Sequence, residues 1–333
     1  MSKTVLIAVV CLLAAPLVAE VTVGKPAPFF KVDGDCANPV ELKTLTECKG
    51  EVILLVDWHV RDIPTQKIIK QVQGLWDKYR GKGLHVFATH RLNMERIDAV
   101  EDYCVKNKIT LCSPICAFGE TNDFDAYFVK DKMYITVIDI DGKVAYYNTS
   151  GGWQTVLETE LKKVVYPNLL RQAVVKPLES AAVNFGLGFF GKGMNLARTA
   201  LEGELDAAGK DDARYIIKRG EEILERKRKR IEKEKERRHY VQVFEWLEEL
   251  TRAFKDTEVA TAAEKEIKTL KDDKKVKEEL KAQESLIYVI NGARGKGKAQ
   301  RVNTLRTFAK NFPGTRAADD AEELATRLEN AEY

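Results

Sequence analysis

The chain has 333 residues, enough for two domains that each bury a core. Charged residues make up 32% and apolar ones 44%, the proportions of an ordinary soluble protein. A formal net charge of +3 lacks the strong one-sided basicity of a nucleic-acid binder and points to no special partner.

The first residues have the pattern of a secretory signal. Lys3 supplies the positive start, Val5 to Val18 the apolar stretch, and Leu17-Val18-Ala19 a cleavage point before Glu20. The stretch is short for a membrane span. Leu17 is larger than a signal peptidase prefers, which leaves an uncleaved anchor as the alternative. Cys11 lacks the small preceding residue of a lipoprotein signal. No later segment is apolar for long enough to cross a bilayer, so residues 1–19 are expected to leave an exported chain, periplasmic or extracellular. Export places Cys36, Cys48, Cys104, Cys112 and Cys116 in an oxidising setting. Their odd number requires a thiol outside any internal bridge, or an intermolecular bond. Asn148-Thr149-Ser150 is a glycosylation sequon, relevant only to a eukaryotic source.

The first domain is expected over residues 20–165. Val23 to Phe30 carries two prolines and reads as extended, with Phe29 and Phe30 as core anchors. Asp33-Gly34 marks a turn, and Pro39 to Leu45 reads as the return segment. Cys48 is either a small buried hydrophobe or the partner of Cys36 in a bridge closing this hairpin. Val52 to Val56 is an apolar, mostly branched run of the kind that forms a buried central strand, and Trp58 closes it. A short polar loop follows. Pro64 then opens a helix with Ile68, Ile69, Val72, Leu75, Trp76 and Tyr79 on one face, ended by Gly81 and Gly83. Leu84 to His90 is the next strand, and strand, helix, strand at this spacing makes a right-handed βαβ unit. Met94 to Asn107 reads as a helix and Ile109 to Phe118 as a strand. Tyr134 to Asp139 and Lys143 to Tyr147 form a hairpin across Asp141-Gly142. Trp153 to Val164 reads as the closing helix.

Strand, Trp, loop, Pro, helix resembles the site architecture of the thioredoxin superfamily. The resemblance is to the extracytoplasmic TlpA and redoxin (peroxiredoxin-like) branch, whose pattern runs roughly Trp-x-x-x-Cys-x-Pro-Cys. The opening Gly24-x-x-Ala27-Pro28-x-Phe30 and the hairpin Ile138-Asp-x-Asp-Gly-Lys143 resemble the same branch. It implies an α/β fold, a mixed sheet flanked by helices, over about residues 22–165, and a thiol oxidoreductase or peroxiredoxin-like activity. The slots of the two cysteines, however, hold Asp62 and Thr65. The chemistry needs a thiolate at the helix N-terminus, where the dipole and unpaired N–H groups lower its pKa. Asp62 suits a helix cap instead, and Thr65 cannot resolve a mixed disulfide. The cis-proline slot falls at Met133, where a cis bond would cost about 2.5–4 kcal/mol. The groove beside the old site would be lined by Trp58, His59, Arg61, Asp62, Pro64 and Met133. His59, Arg61 and Asp62 also combine a base, an anion binder and an acid on one loop, without an evident nucleophile.

The remaining thiols leave three readings open. Cys104, Cys112 and Cys116 are buried and inert, or form a structural disulfide through Cys104 or another partner, or make a working redox pair. Cys112 and Cys116 on one strand would sit roughly 13 Å apart, too far to bridge unless Pro114 bends the segment. His59, His85, His90 and His239 show no ligand spacing with the cysteines, so no metal and no cofactor is expected.

Beyond Pro167 nearly everything reads as helix, which sets an all-α domain over residues 166–333. Phe254, Thr257, Ala260, Ala263, Glu264 and Leu270 recur as Phe312, Thr315, Ala318, Ala321, Glu322 and Leu328, an offset of 58 residues. Each copy predicts a helix ending on an aromatic residue, a tight turn, and a Thr capping the next helix. The pattern resembles tetratricopeptide-like (TPR-like) helical hairpins, though the offset exceeds the roughly 34 residues of a standard repeat. Phe185 to Gly191 contains G-x-G-x-x-G, but no strand precedes it; helix packing or a turn is the expectation there. Arg226 to His239 reads as a solvated, charge-paired helix arm, or as a contact for an anionic surface. Two functions from different classes follow. One is a non-catalytic binding or scaffold module holding a protein partner through the groove or the helical domain. The other is an oxidoreductase using non-standard cysteines.

Overall fold

In the computed structural model the chain divides into two compact units, Met1–Gln172 and Ala173–Tyr333. The structure describes residues 20–32, 36–38, 42–92, 100, 103–104, 107–117, 125–127, 132–149, 151–293 and 295–330; for 91, 92, 116, 117 and 125 the description is of the backbone alone. The signal segment 1–19, the Asp33-Gly34 turn, residues 39–41 of the return segment, Ser150 of the sequon and most of the Met94–Asn107 helix lie outside these residues.

The first unit contains β1 (Cys36–Ala37), β2 (Val52–Trp58), α1 (Ile63–Tyr79), β3 (Leu84–Leu92), β4 (Ser113–Ala117), β5 (Ile135–Ile138), β6 (Val144–Asn148) and α2 (Trp153–Leu161). The sheet order is β1-β4-β3-β2-β5-β6. β2, β3 and β4 run parallel, and the other neighbours are antiparallel. A βαβ half and a ββα half thus share one mixed sheet flanked by helices, the thioredoxin-like arrangement.

β2 lies at the centre because it is apolar on both faces. Val52, Leu54, Val56 and Trp58 join Ile69 and Val72 of α1 and Trp153, Leu157 and Leu161 of α2 in one core layer. Ile53 and Leu55 join Phe30, Cys48, Phe87, Cys112 and Tyr127 in the opposite layer. Each such aliphatic side chain contributes about 1.5–3 kcal/mol over an exposed position, which no other register of this strand would preserve. Cys104 belongs to the α1 layer, and Cys48 and Cys112 to the other. The sheet therefore separates Cys104 from both, so the alternative of a disulfide through Cys104 does not join it to either.

Phe29 departs from expectation. Phe30 is fully buried, whereas Phe29 is 55% exposed, because successive residues of an extended segment point to opposite sides. The strand expected from Ile109 is regular only over Ser113–Ala117, with Cys112 in an isolated parallel bridge to Phe87. Residues 166–172 fold back on the start of β2. There the Asn168 N–H and His85 Nε2 meet the buried Glu51 carboxylate, and the Gln172 amide donates to the Gly50 carbonyl.

The second unit is helical throughout its described residues: α3 (Glu179–Gly186), α4 (Phe190–Glu202), α5 (Ala207–Glu236), α6 (Tyr240–Ala253), α7 (Glu258–Asp272), α8 (Lys274–Ala293), α9 (Lys298–Asn311) and α10 (Arg316–Asn330). Consecutive helices pack on one another, and α8 also packs on α6 and α10. The internal repeat is visible as geometry. The Thr257 hydroxyl donates to the Phe254 carbonyl at 2.6 Å, and that of Thr315 to the Phe312 carbonyl at 2.8 Å. Left-handed residues, Asp256 and Gly314, occupy the same slot of the two turns. Ala260, Ala263, Ala318 and Ala321 are all buried. Capping differs between the copies. The Thr315 hydroxyl also accepts the Ala318 N–H at 3.2 Å, whereas Thr257 makes no side-chain cap bond.

Candidate functional site

The loop 59–62 joins the C-terminal end of β2 to the N-terminus of α1, and its backbone is held on three sides. Thr65, buried in the first turn, accepts the His59 N–H at 3.1 Å through Oγ1, whose O–H faces the His59 and Asp62 carbonyls at 3.2 and 3.0 Å. His90 Nε2 accepts the Val60 N–H at 3.0 Å. His59 Nδ1 accepts the Arg61 N–H at 3.2 Å. Asp62 is the N-cap of α1: its Oδ2 takes the Thr65 N–H at 3.3 Å, and its carbonyl takes the Gln66 N–H at 2.9 Å. The carboxylate thus occupies the place where a thiolate would draw on the helix dipole.

Beneath the loop, Trp58 is only 1% exposed and donates its indole N–H to the Ala88 carbonyl at 3.0 Å. It supports the loop from below and does not face solvent. The His90 ring meets Trp58 edge to face at 5.1 Å and stacks on His59 at 5.0 Å. Tyr103 lies against Trp58 at 5.3 Å, and burial pushes its phenol above the ordinary value of 10.0. The solvent side carries Arg61, Ile63 and Pro64, with Ile63 65% exposed. Met133 is half-buried against the α1-side core, and among the described residues no peptide bond is cis.

The structure therefore brings Trp58, His59, Arg61, Asp62 and Thr65 together, and adds His90, which the sequence reading passed over. The available signal was strand length: β2 and β3 pair in parallel from Val52–Leu84 to Trp58–His90, which sets His90 beside Trp58. The cysteines form no part of this loop. Cys48 is a buried hydrophobe of the lower core. Cys36 lies with its Sγ 3.1 Å from Cys112 Sγ, and not against Cys48. Cys112 and Cys116 stand on extended backbone with Pro114 inside the strand, so no bend brings them together. Among the described residues no group of three or more His, Cys, Asp or Glu could hold a metal ion, and no helix is long and apolar enough to cross a membrane.

In the second unit the basic run is largely engaged with carboxylates. Lys227 meets Glu249, Lys229 meets Glu225, Lys235 meets Glu232 and Glu266, and Arg237 meets Glu234. Arg230 stacks on Trp246 at 3.8 Å. Arg238 binds Asp319, the Gly314 carbonyl and the buried Glu279, which also takes the Arg316 N–H. Lys227, Arg230, Lys235 and Arg238 of this run are thus tied to other helices, and Lys229 and Arg237 to carboxylates beside them. In the glycine cluster Gly191 packs helices, since a Cβ on it would stand 2.9 Å from the Phe254 Cα, whereas Gly188 takes a left-handed turn with a φ of 83°.

No family model matches the chain, and no curated protein matches it. Solved structures similar to it include a thiol:disulfide interchange protein of the thioredoxin family from Chlorobium tepidum, 16% identical, covering 43% of this chain and 99% of that one with a TM-score of 0.35. The thioredoxin domain of a thiol-disulfide oxidoreductase from Bacteroides vulgatus is 16% identical over 44% of this chain and 99% of its own, with a TM-score of 0.35. A thiol:disulfide interchange protein from a Bacteroides species is 16% identical over 43% and 91%, with a TM-score of 0.34. None of these likenesses transfers an activity or a site residue to this chain.

Proposed function

We propose that the chain is an exported, non-catalytic binding protein. In this reading residues 1–19 are its signal and a thioredoxin-like unit of TlpA/redoxin type forms its first domain. A TPR-like helical unit holds a protein partner. The observation that carries the reading is Asp62. At the one position where this fold activates a thiolate, a carboxylate caps the helix, and Thr65, in the resolving slot, is bonded into the loop backbone. Neither group can attack or resolve a disulfide. Recognition then falls to the outer rim, Arg61, Ile63 and Pro64, presented on a backbone held by His90 and Thr65.

The test has two arms. The chain from Glu20 to Tyr333 should give no turnover above background in disulfide-reduction and peroxide assays. As bait against an extract of its source compartment, it should retain a partner that the double variant Arg61→Glu/Ile63→Ser loses. Turnover abolished by a single Cys→Ser change would establish the oxidoreductase reading instead. Retention unchanged in the double variant would remove the rim as the binding surface.

A further inference from the structure

We propose that Cys36 and Cys112 are a disulfide-exchange site, through which the short strand β1 becomes covalently joined to the sheet. The two residues are 76 apart in sequence, yet their sulfurs are 3.1 Å apart. That is a thiol–thiol contact, longer than the about 2.05 Å of a disulfide. The placement follows from pairing. Cys36 stands opposite Pro114 and Ala37 opposite Ser113, so Cys112 is the diagonal neighbour of Cys36 on the same face. Closing the bond asks the sulfurs to approach by about 1 Å, a side-chain rotation with a small shift of a two-residue strand. Asn38 holds that strand in place by donating to the Ile109 and Leu111 carbonyls at 2.9 and 3.1 Å.

Exposure assigns the order of events. Cys36 is half-buried and Cys112 only 1% exposed, so an incoming disulfide meets Cys36 first. The Cys36 thiolate attacks one sulfur of an external disulfide and expels the first thiol. The Cys112 thiolate then attacks the Cys36 sulfur of the mixed disulfide and expels the second. Two protein thiols are oxidised, one external disulfide is reduced to two thiols, and the two thiol protons pass to the leaving thiolates. Among the described side chains Cys104 is across the sheet, and Cys48 lies in the same core layer as Cys112, but the sulfur 3.1 Å from Cys112 is that of Cys36. The inference is independent of the binding reading, because a disulfide taken up once is not turnover.

The experiment uses the full mature chain and glutathione disulfide as the oxidant. Reduced protein should lose two titratable thiols, and peptide mapping should find one Cys36–Cys112 cross-link. Closing a loop of this length predicts a rise of about 10 °C in the melting temperature of the unit that contains it. Cys36→Ser should lose both the cross-link and the rise. Cys112→Ser should instead trap one glutathione on Cys36, a readout that needs only folded protein. Retention of both thiols after equilibration, or a cross-link joining any other pair, would overturn the proposal.

Discussion

The Val60 N–H of the loop 59–62 rests on the His90 ring, and His90→Phe tests how much of the loop that bond holds. Phenylalanine keeps an aromatic ring against Trp58 and His59 and deletes Nε2, which accepts the Val60 N–H at 3.0 Å. Leaving that half-buried N–H without its partner costs about 1–3 kcal/mol. Expressed as local opening, the Val60 amide should exchange with solvent about 5- to 150-fold faster, while amides in the middle of β2 keep their protection. Native-state hydrogen exchange with residue-level readout measures this directly. Thr65→Val is the companion variant, since it removes the acceptor of the His59 N–H and should speed exchange at His59 rather than Val60. A Val60 amide that exchanges at the wild-type rate in His90→Phe would refute the reasoning. It would mean that the cap at Asp62, and not the histidine, fixes the loop.

Restoring a cysteine at the cap, Asp62→Cys, should yield a thiol with a pKa below the usual 8.5, because the first-turn N–H groups of α1 converge there; alkylation rate against pH reads it, and a value at or above 8.5 would contradict the placement. Burial holds the Tyr127 phenol well above its ordinary 10.0, and its O–H donates to the Pro28 carbonyl. A raised folded-state value means that stability is complete below about pH 10 and falls as pH rises beyond it. Tyr127→Phe should flatten that alkaline loss in denaturant titrations, and an unchanged slope would count against it. Gly191→Ala should destabilise the helical unit by about 1–3 kcal/mol, since its Cβ would press on the Phe254 backbone. Gly292→Ala, with open space around it inside α8, should instead stabilise by up to about 1 kcal/mol in the same thermal melts.

What the sequence reading recovered was local. The run Val52–Val56, the Pro64 helix, the Asp139–Lys143 hairpin and the Phe–Thr turns each announce themselves within a few residues. Their structures follow from strand burial, first-turn proline geometry and side-chain bonds three or four residues apart. Most of the losses are contacts between distant segments. His90 reaches the loop only because β3 pairs with β2 in one register. Cys36 meets Cys112 only because a two-residue strand lands on β4. Glu51 joins His85 across 34 positions and Asn168 across 117. Phe29 and Thr257 are a different kind of miss: the right residue type was present, but strand alternation turned Phe29 outward and Thr257 makes no side-chain cap bond.

β1 has a consequence for self-association. Among the described strands it lies outermost, over β4, and covers that edge with only two residues. Beneath it sits Pro114, which has no N–H to offer a ladder. An open, regular edge in a sheet this apolar would template pairing with a second chain and seed polymers. Here the edge is blunted twice, by a short strand and by an imino acid. Deleting Cys36–Ala37 together with Pro114→Val would strip both guards and should convert a dispersed protein into an aggregating one.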